Sequence, residues 1–205
     1  MNILEVTMEI VKIAEQIKKL YNTNRTLIVG IDGKSTVSKE LHRKLSKEKY
    51  KITLLHIDDF IHPRAIRYNK NYAEWECYYN LQWRYDYLVN EVVNPMKCGS
   101  DFKAKVELYD KDNDTYFYSE TNVPVGSIVI IEGVFLQRQE LKDVFDYMIY
   151  IDIPEETRLN RVLERDRYIG DKQQIKAKYD NRYLPAEHHY IKTCSPGQNA
   201  DYIIR

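Results

Sequence analysis

Hydrophobic positions along the chain change period several times, and each change predicts an element. Ile10, Ile13, Ala14, Ile17 and Leu20 recur every three or four residues among Glu and Lys, which predicts an amphipathic helix ending near Asn22 and Asn24. From Thr26 the pattern becomes an unbroken apolar run, TLIVGID, as expected of a strand buried on both faces. A helix through Leu41 and Leu45 follows, then a strand over 51–57 that ends at the acidic pair Asp58 and Asp59. Two further apolar runs, 127–131 and 147–153, lead into Glu132-Gly133 and into Asp152 and Pro154, and a short last strand is expected at 202–204. Strands alternating with helices predict βαβ units and a mostly parallel sheet with helices on its faces.

The middle third interrupts that rhythm. Residues 72–94 read as helical and aromatic, and 105–118 as a hairpin turning at 112–114. Residues 155–167 begin with an acidic first turn after Pro154 and then carry Arg158, Arg161, Arg165 and Arg167. The expected organisation is a single domain over 1–205, with an N-terminal helix (1–22), an acceptor-side insert (62–120) and a helical lid region (155–175).

Bulk properties narrow the classes of function. A chain of 205 residues, 43% hydrophobic, suffices for one compact core. Lys and Arg total 31 and Asp and Glu total 31, so no broad basic field advertises nucleic acid, and Glu74, Glu76 and Asp86 among the tyrosines argue against a single-strand groove. The longest apolar run, from Ser127, falls far short of the ~20 residues that span a bilayer. The first residues lack a secretory pattern, so a cytoplasmic protein without a membrane partner is expected. Cys77, Cys98 and Cys194 have spacings of neither a disulfide framework nor a metal knuckle and read as free thiols. The 18 tyrosines concentrate between Tyr68 and Tyr118, a pattern better explained by an aromatic core than by a substrate wall.

In open parallel sheets ligands bind beyond the carboxyl ends of the strands. Those positions hold Asp32-Gly33 with Lys34-Ser35-Thr36, Asp58-Asp59, and Glu132-Gly133. The P-loop signature is G-x-x-x-x-G-K-[ST]: backbone N–H groups surround phosphates, the lysine neutralises them and the hydroxyl holds Mg²⁺. In GIDGKSTVSKEL, Gly33 can open the loop and Lys34-Ser35-Thr36 close it, which makes these four residues candidates for binding ATP and Ser35 a candidate magnesium ligand. In that register the loop is five residues short. Two expectations follow. Either a glycine-rich stretch belongs between Gly33 and Lys34, or the loop is truly deleted and the fold survives as a non-catalytic binding or regulatory module.

The ordered series GIDG, KST, HIDDF, ELYD, IIEGVF, TRLNRVLERD and KYDNRY resembles the uridine kinase family and its bacterial relatives of unassigned substrate, over residues 26–205. The resemblance implies a three-layer P-loop NTPase fold with a helical lid and a small substrate-side insert. It also implies an ATP- and Mg²⁺-dependent kinase whose partner is a small-molecule acceptor, uridine- or nucleoside-like; a homo-oligomer is compatible with it. Asp58 takes the place of the general base, with Lys34, Arg161 and Arg165 as catalytic partners. Arg158 and Arg167 join Gly33, Lys34, Ser35 and Thr36 around the nucleotide. Glu132 and Asp59 join Ser35 near the metal. Arg64, Arg67, Tyr68, Tyr109 and Asp110 fall on the acceptor side, although the histidine that follows the Y-D pair in the family is absent from KDNDTYFY. Taken singly, each acid also fits a turn cap and the arginines a solvated helix face.

Overall fold

The computed structural model describes residues 3–33, 36–165 and 170–205, and for 3–6, 161, 164 and 165 the backbone alone. Helix α1 (Ile3–Leu20) leads into strand β1 (Leu27–Asp32), which a short connection joins to helix α2 (Val37–Lys47). Strand β2 (Ile52–His56) precedes a helical segment and the hairpin β3 (Phe102–Asp110) and β4 (Thr115–Val123). Strands β5 (Ile128–Gly133), β6 (Tyr147–Ile151) and β7 (Tyr202–Ile204) complete the set.

Five strands form one sheet in the order β2-β5-β1-β6-β7, with every described neighbour parallel. The central β1 is buried along its whole length because its side chains serve two layers. Leu27, Val29 and Ile31 pack with Ile13 and Ile17 of α1 and with Leu41 and Leu45 of α2. Ile28 belongs instead to an aromatic-rich core with Phe60, Tyr78, Trp83 and Tyr190. The result is a three-layer α/β fold, as the alternation of strands and helices predicts.

The helix expected over 72–94 is divided. Helix Glu74–Leu81 ends, and a short turn Tyr85–Tyr87 passes into a π-helical stretch, Leu88–Val93. The break has a tertiary cause. Arg84 N–H donates to Phe60 O at 2.8 Å and His62 N–H to Gln82 O at 2.9 Å, so this backbone pairs across the chain rather than along a helix. That pairing carries Trp83 to the β2 tip. The hairpin has the expected turn, with Asp110 accepting from the backbone N–H groups of Asp112 (2.9 Å) and Asn113 (3.2 Å). Its strands pack on the insert through Arg84, which lies 4.2 Å from the Tyr87 ring centroid and 4.1 Å from that of Tyr116, and pairs with Glu107 at 2.7 Å.

Tyr78, Tyr79, Tyr85 and Tyr109 are buried, so much of the tyrosine-rich segment is core. Among the described residues no helix is long and apolar enough to cross a membrane, and Cys77, Cys98 and Cys194 are free thiols.

Candidate active site

Because β2, β5 and β1 are neighbours and parallel, their carboxyl ends bring Asp58-Asp59, Glu132-Gly133 and Asp32-Gly33 side by side. Two glycines make the close approach feasible. At Gly133 (φ +157°) a Cβ would fall 2.1 Å from Ile57 Cγ2, at the turn that presents the acidic pair. At Gly33 (φ +125°) it would fall 2.9 Å from Ile151 Cβ, while the Gly33 N–H donates to Gly133 O at 2.6 Å.

The acids have different surroundings. Asp58 is exposed, and its Oδ1 accepts from Trp83 Nε1 at 3.3 Å. Burial pushes the Asp59 carboxyl up; nearby His56 opposes the shift, while the charges of Asp58 and Glu132 add to it. Glu132 Oε1 lies 2.5 Å from His56 Nδ1. Asp32 is buried, and desolvation raises its carboxyl to about 6 even though Tyr190, Gln137 and the backbone N–H groups of Leu136 and Phe135 donate to it. The Gln137 Nε2 contact is 3.2 Å, and the Tyr190 hydroxyl also accepts from Gln137 N–H at 3.0 Å.

A cavity of about 720 Å³ opens over these tips, with Asp32, Asp58, Asp59 and Arg158 in its polar wall and Tyr78 and Phe117 in its aromatic wall. Asp59 and Glu132, on adjacent strand ends and close enough that the Glu132 charge adds to the upward shift of Asp59, suit a hard divalent cation that takes most of its ligands from phosphates and water. Among the described residues no group of three or more His, Cys, Asp or Glu could hold a metal ion, and magnesium does not need one.

The structure sorts the residues singled out by sequence. Asp58, Asp59, Gly33, Arg158, Tyr109 and Asp110 line the cavity. Arg158, expected over phosphates, is paired: its Nη1 lies 2.5 Å from Glu187 Oε1, and its Nε donates to Ile153 O at 2.9 Å. Thr36 caps α2 with no side-chain bond to the helix. Lys34, Ser35 and Arg167 lie outside the described residues, as do the side chains of Arg161 and Arg165 on helix Glu155–Arg165.

Arg64, Arg67 and Tyr68 are not brought to that wall. Arg64 Nη2 donates to Lys111 O at 2.9 Å, and buried Arg67 donates to the Tyr109 hydroxyl at 2.7 Å, so both guanidinium groups tie the insert to the hairpin turn. Tyr68 lies 4.5 Å below the guanidinium of buried Arg182, beside a second cavity of about 480 Å³. Sequence reasoning missed His56, Gln137, Glu187 and Tyr190. His56 alone carried a local signal, standing beside the acidic pair.

The connection after β1 also corrects an expectation. Gly33 is followed directly by Lys34, and four residues, 33–36, separate the last residue of β1 from the first of α2. No glycine-rich stretch stands between them.

A parallel sheet with this connection and acids on the neighbouring strand tips is the arrangement of the P-loop kinases. Residues 30–205 match the Phosphoribulokinase / Uridine kinase family, and the chain belongs to that family. A uridine kinase of Staphylococcus haemolyticus is 28% identical over 194 residues, 87% of either chain. A pantothenate kinase of Bacillus velezensis is 29% identical over 180 residues, covering 76% of this chain and 54% of that protein. The solved structure of a possible uridine kinase from Bacillus stearothermophilus superposes with a TM-score of 0.79 at 29% identity, over 98% of this chain and 100% of that one. D-glycerate 3-kinase from Cryptococcus neoformans shares the fold, with a TM-score of 0.64 at 15% identity over 89% of this chain and 87% of that one.

Proposed function

We propose that this protein transfers the γ-phosphoryl group of ATP to a hydroxyl of a small molecule, with a uridine- or other nucleoside-like acceptor favoured and Asp58 as the base. The observation that carries the reading is the position of Asp58. Its exposed carboxylate shares one cavity of about 720 Å³ with Gly33 of the phosphate loop and with the aromatic side chains of Tyr78 and Phe117. There it can orient the acceptor hydroxyl and take its proton as the bond to phosphorus forms. Trp83 fixes the carboxylate's direction through its Nε1–H. Asp59 and Glu132 would hold Mg²⁺, with Ser35 as the expected hydroxyl ligand; a divalent ion there supplies charge neutralisation on the transferring group. Lys34, Thr36, Arg158, Arg161, Arg165 and Arg167 belong to the phosphate side of this reading, and Tyr109 and Asp110 to the acceptor side.

The test is incubation of the full chain with ATP and Mg²⁺ against nucleosides, pantothenate and sugar phosphates, with ADP and the phosphorylated product read by mass spectrometry. Acceptor-dependent ADP is expected with at least one neutral hydroxylated compound. ADP release that no acceptor stimulates would refute the reading.

A second reading is favoured by one observation: no glycine occurs between Gly33 and Gly99, so the phosphate loop lacks its second glycine. On that reading the fold serves as a binding or regulatory module, and ligands bind without turnover.

A further inference from the structure

Arg84, Arg138 and Arg158 each pair with a glutamate. Arg182, fully buried, does not: its Nη1 donates to Glu74 O at 3.2 Å and its Nη2 to Gln82 Oε1 at 3.0 Å, and the ring centroids of Tyr68 and Tyr78 lie 4.5 Å and 5.1 Å from its guanidinium. These partners satisfy hydrogen bonds but supply no negative charge, and a desolvated cation without a counter-ion is costly. We propose that the second cavity, which Arg182 lines, is a further ligand site, and that it takes a small molecule carrying a phosphate or carboxylate group on a flat ring. The inference goes beyond the phosphotransfer reading and does not depend on it.

Charge and shape select that class. The cavity of about 480 Å³ lies between the segment 68–77 and the helical turn that carries Lys178 and Arg182, four residues apart and so on one face. Lys70 joins them in the lining, and neither Lys70 nor Lys178 has a carboxylate partner among the described residues. Glu74 is the one acid of that lining, and it gives Arg182 its backbone O rather than its carboxylate, so Lys70, Lys178 and Arg182 stand against a single negative charge. Exposed lysines alone are screened by water and salt, whereas a guanidinium buried at the base of the cavity keeps its field. Tyr68 and Tyr72 supply the other kind of surface. Both line the cavity while 44% and 54% exposed, which leaves ring area for a flat ligand to cover.

This site is separate from the one over the strand tips. Arg182 stands between the two cavities: its partners Tyr78 and Gln82 line the cavity that holds Asp58, whereas its partners Tyr68 and Glu74 line the second. Gly33, Asp58, Asp59 and Arg158 take no part in the second lining. Because Tyr68 lies against the guanidinium, the ligand's anion meets Lys70 and Lys178 directly and Arg182 through its field.

The test is calorimetric titration of the full chain with phenyl phosphate, benzoate, inorganic phosphate and phenol. At least one of the two ring-bearing anions is expected to bind, about two- to tenfold tighter than inorganic phosphate, and phenol to give no binding; the tighter of the two anions identifies the group the site prefers. Lys70→Gln/Lys178→Gln should weaken that binding about tenfold, and Tyr68→Ala should bring it down to the level of inorganic phosphate. All three side chains sit at the rim, so the variants are expected to unfold at the wild-type temperature, whereas replacing buried Arg182 would disturb the packing of Tyr68 and Tyr78. The proposal is overturned if neither ring-bearing anion binds, if the folded lysine double variant binds as the wild type does, or if Phe117→Ala abolishes binding instead, which would place the probe in the first cavity.

Discussion

Replacing Tyr190 by Phe removes one oxygen from the deepest polar contact of the site. That hydroxyl donates to the buried Asp32 carboxylate and accepts from Gln137 N–H at 3.0 Å, so the substitution strips a donor from a desolvated charge and leaves a backbone N–H unpaired. A hydrogen bond to a charged group contributes about 1.5–3 kcal/mol, and a buried group left unsatisfied costs about 1–3 kcal/mol, so a loss of about 2–4 kcal/mol is expected once partial relaxation is allowed for. For a chain of this size that corresponds to a melting temperature lower by about 5–15 °C. The effect should depend on pH. Asp32 has a folded-state value raised to about 6 from 3.8, so its contribution to stability is present at low pH and is lost as pH rises through that window. Without the Tyr190 donor the folded-state value rises further, so the variant should lose more stability at pH 8 than at pH 5, where the cost of the unpaired Gln137 N–H remains. Urea unfolding at the two pH values measures the difference. A loss that is the same at both, or one below about 0.5 kcal/mol at pH 8, would refute the assignment of a charged, hydrogen-bonded Asp32.

Three other outcomes can be checked on the same protein. Asp58→Asn should lower kcat by about 10²–10⁴-fold with the best acceptor while nucleotide affinity stays close to that of the wild type, as read by steady-state kinetics and titration. Gly133→Ala forces a Cβ to 2.1 Å from Ile57 Cγ2, and overpacking at that tip should cost about 1–3 kcal/mol in denaturant unfolding. Arg67→Ala removes the 2.7 Å bond to Tyr109 and the packing of a buried guanidinium, so amide exchange in the hairpin should accelerate well before that of the central sheet.

The sheet was legible because strands covered on both faces are continuous apolar runs, and 26–32 and 127–131 could hardly be anything else. The acids at the strand tips were legible for the same reason, since a polar residue that ends such a run marks its carboxyl end. The break at Gln82-Trp83-Arg84 was not, because no glycine or proline marks it; it exists through pairing with Phe60 and His62. Tyr190 lies 158 residues from Asp32 in sequence, and Glu187 lies 29 from Arg158, so neither partnership leaves a periodic trace. Arg64 and Arg67 illustrate another limit: a basic pair near a predicted pocket has the right charge for a ligand, and nothing in the sequence signals that Arg64 donates to Lys111 O and Arg67 to the Tyr109 hydroxyl.

That pairing bears on how the proposed acceptor would be held. The Tyr109 hydroxyl donates to Asp114 at 2.6 Å while accepting from Arg67, and Asp110 accepts from Asp112 and Asn113 to close its own turn. Both residues face the cavity with their polar groups already paired. A ligand entering there would meet aromatic surface from Tyr109 and Phe117 rather than open hydrogen-bond partners on those two residues, so on the proposed reading the hairpin would discriminate by shape and ring contact. Directional polar recognition falls to the strand tips. Asp58 is the exposed carboxylate among them, whereas Asp32 is buried beneath Tyr190 and Gln137 and Glu132 is engaged by His56. On the proposed reading, a hydroxyl at that polar end would meet Asp58 and Asp59, while the aromatic wall would keep the rest of the molecule in line.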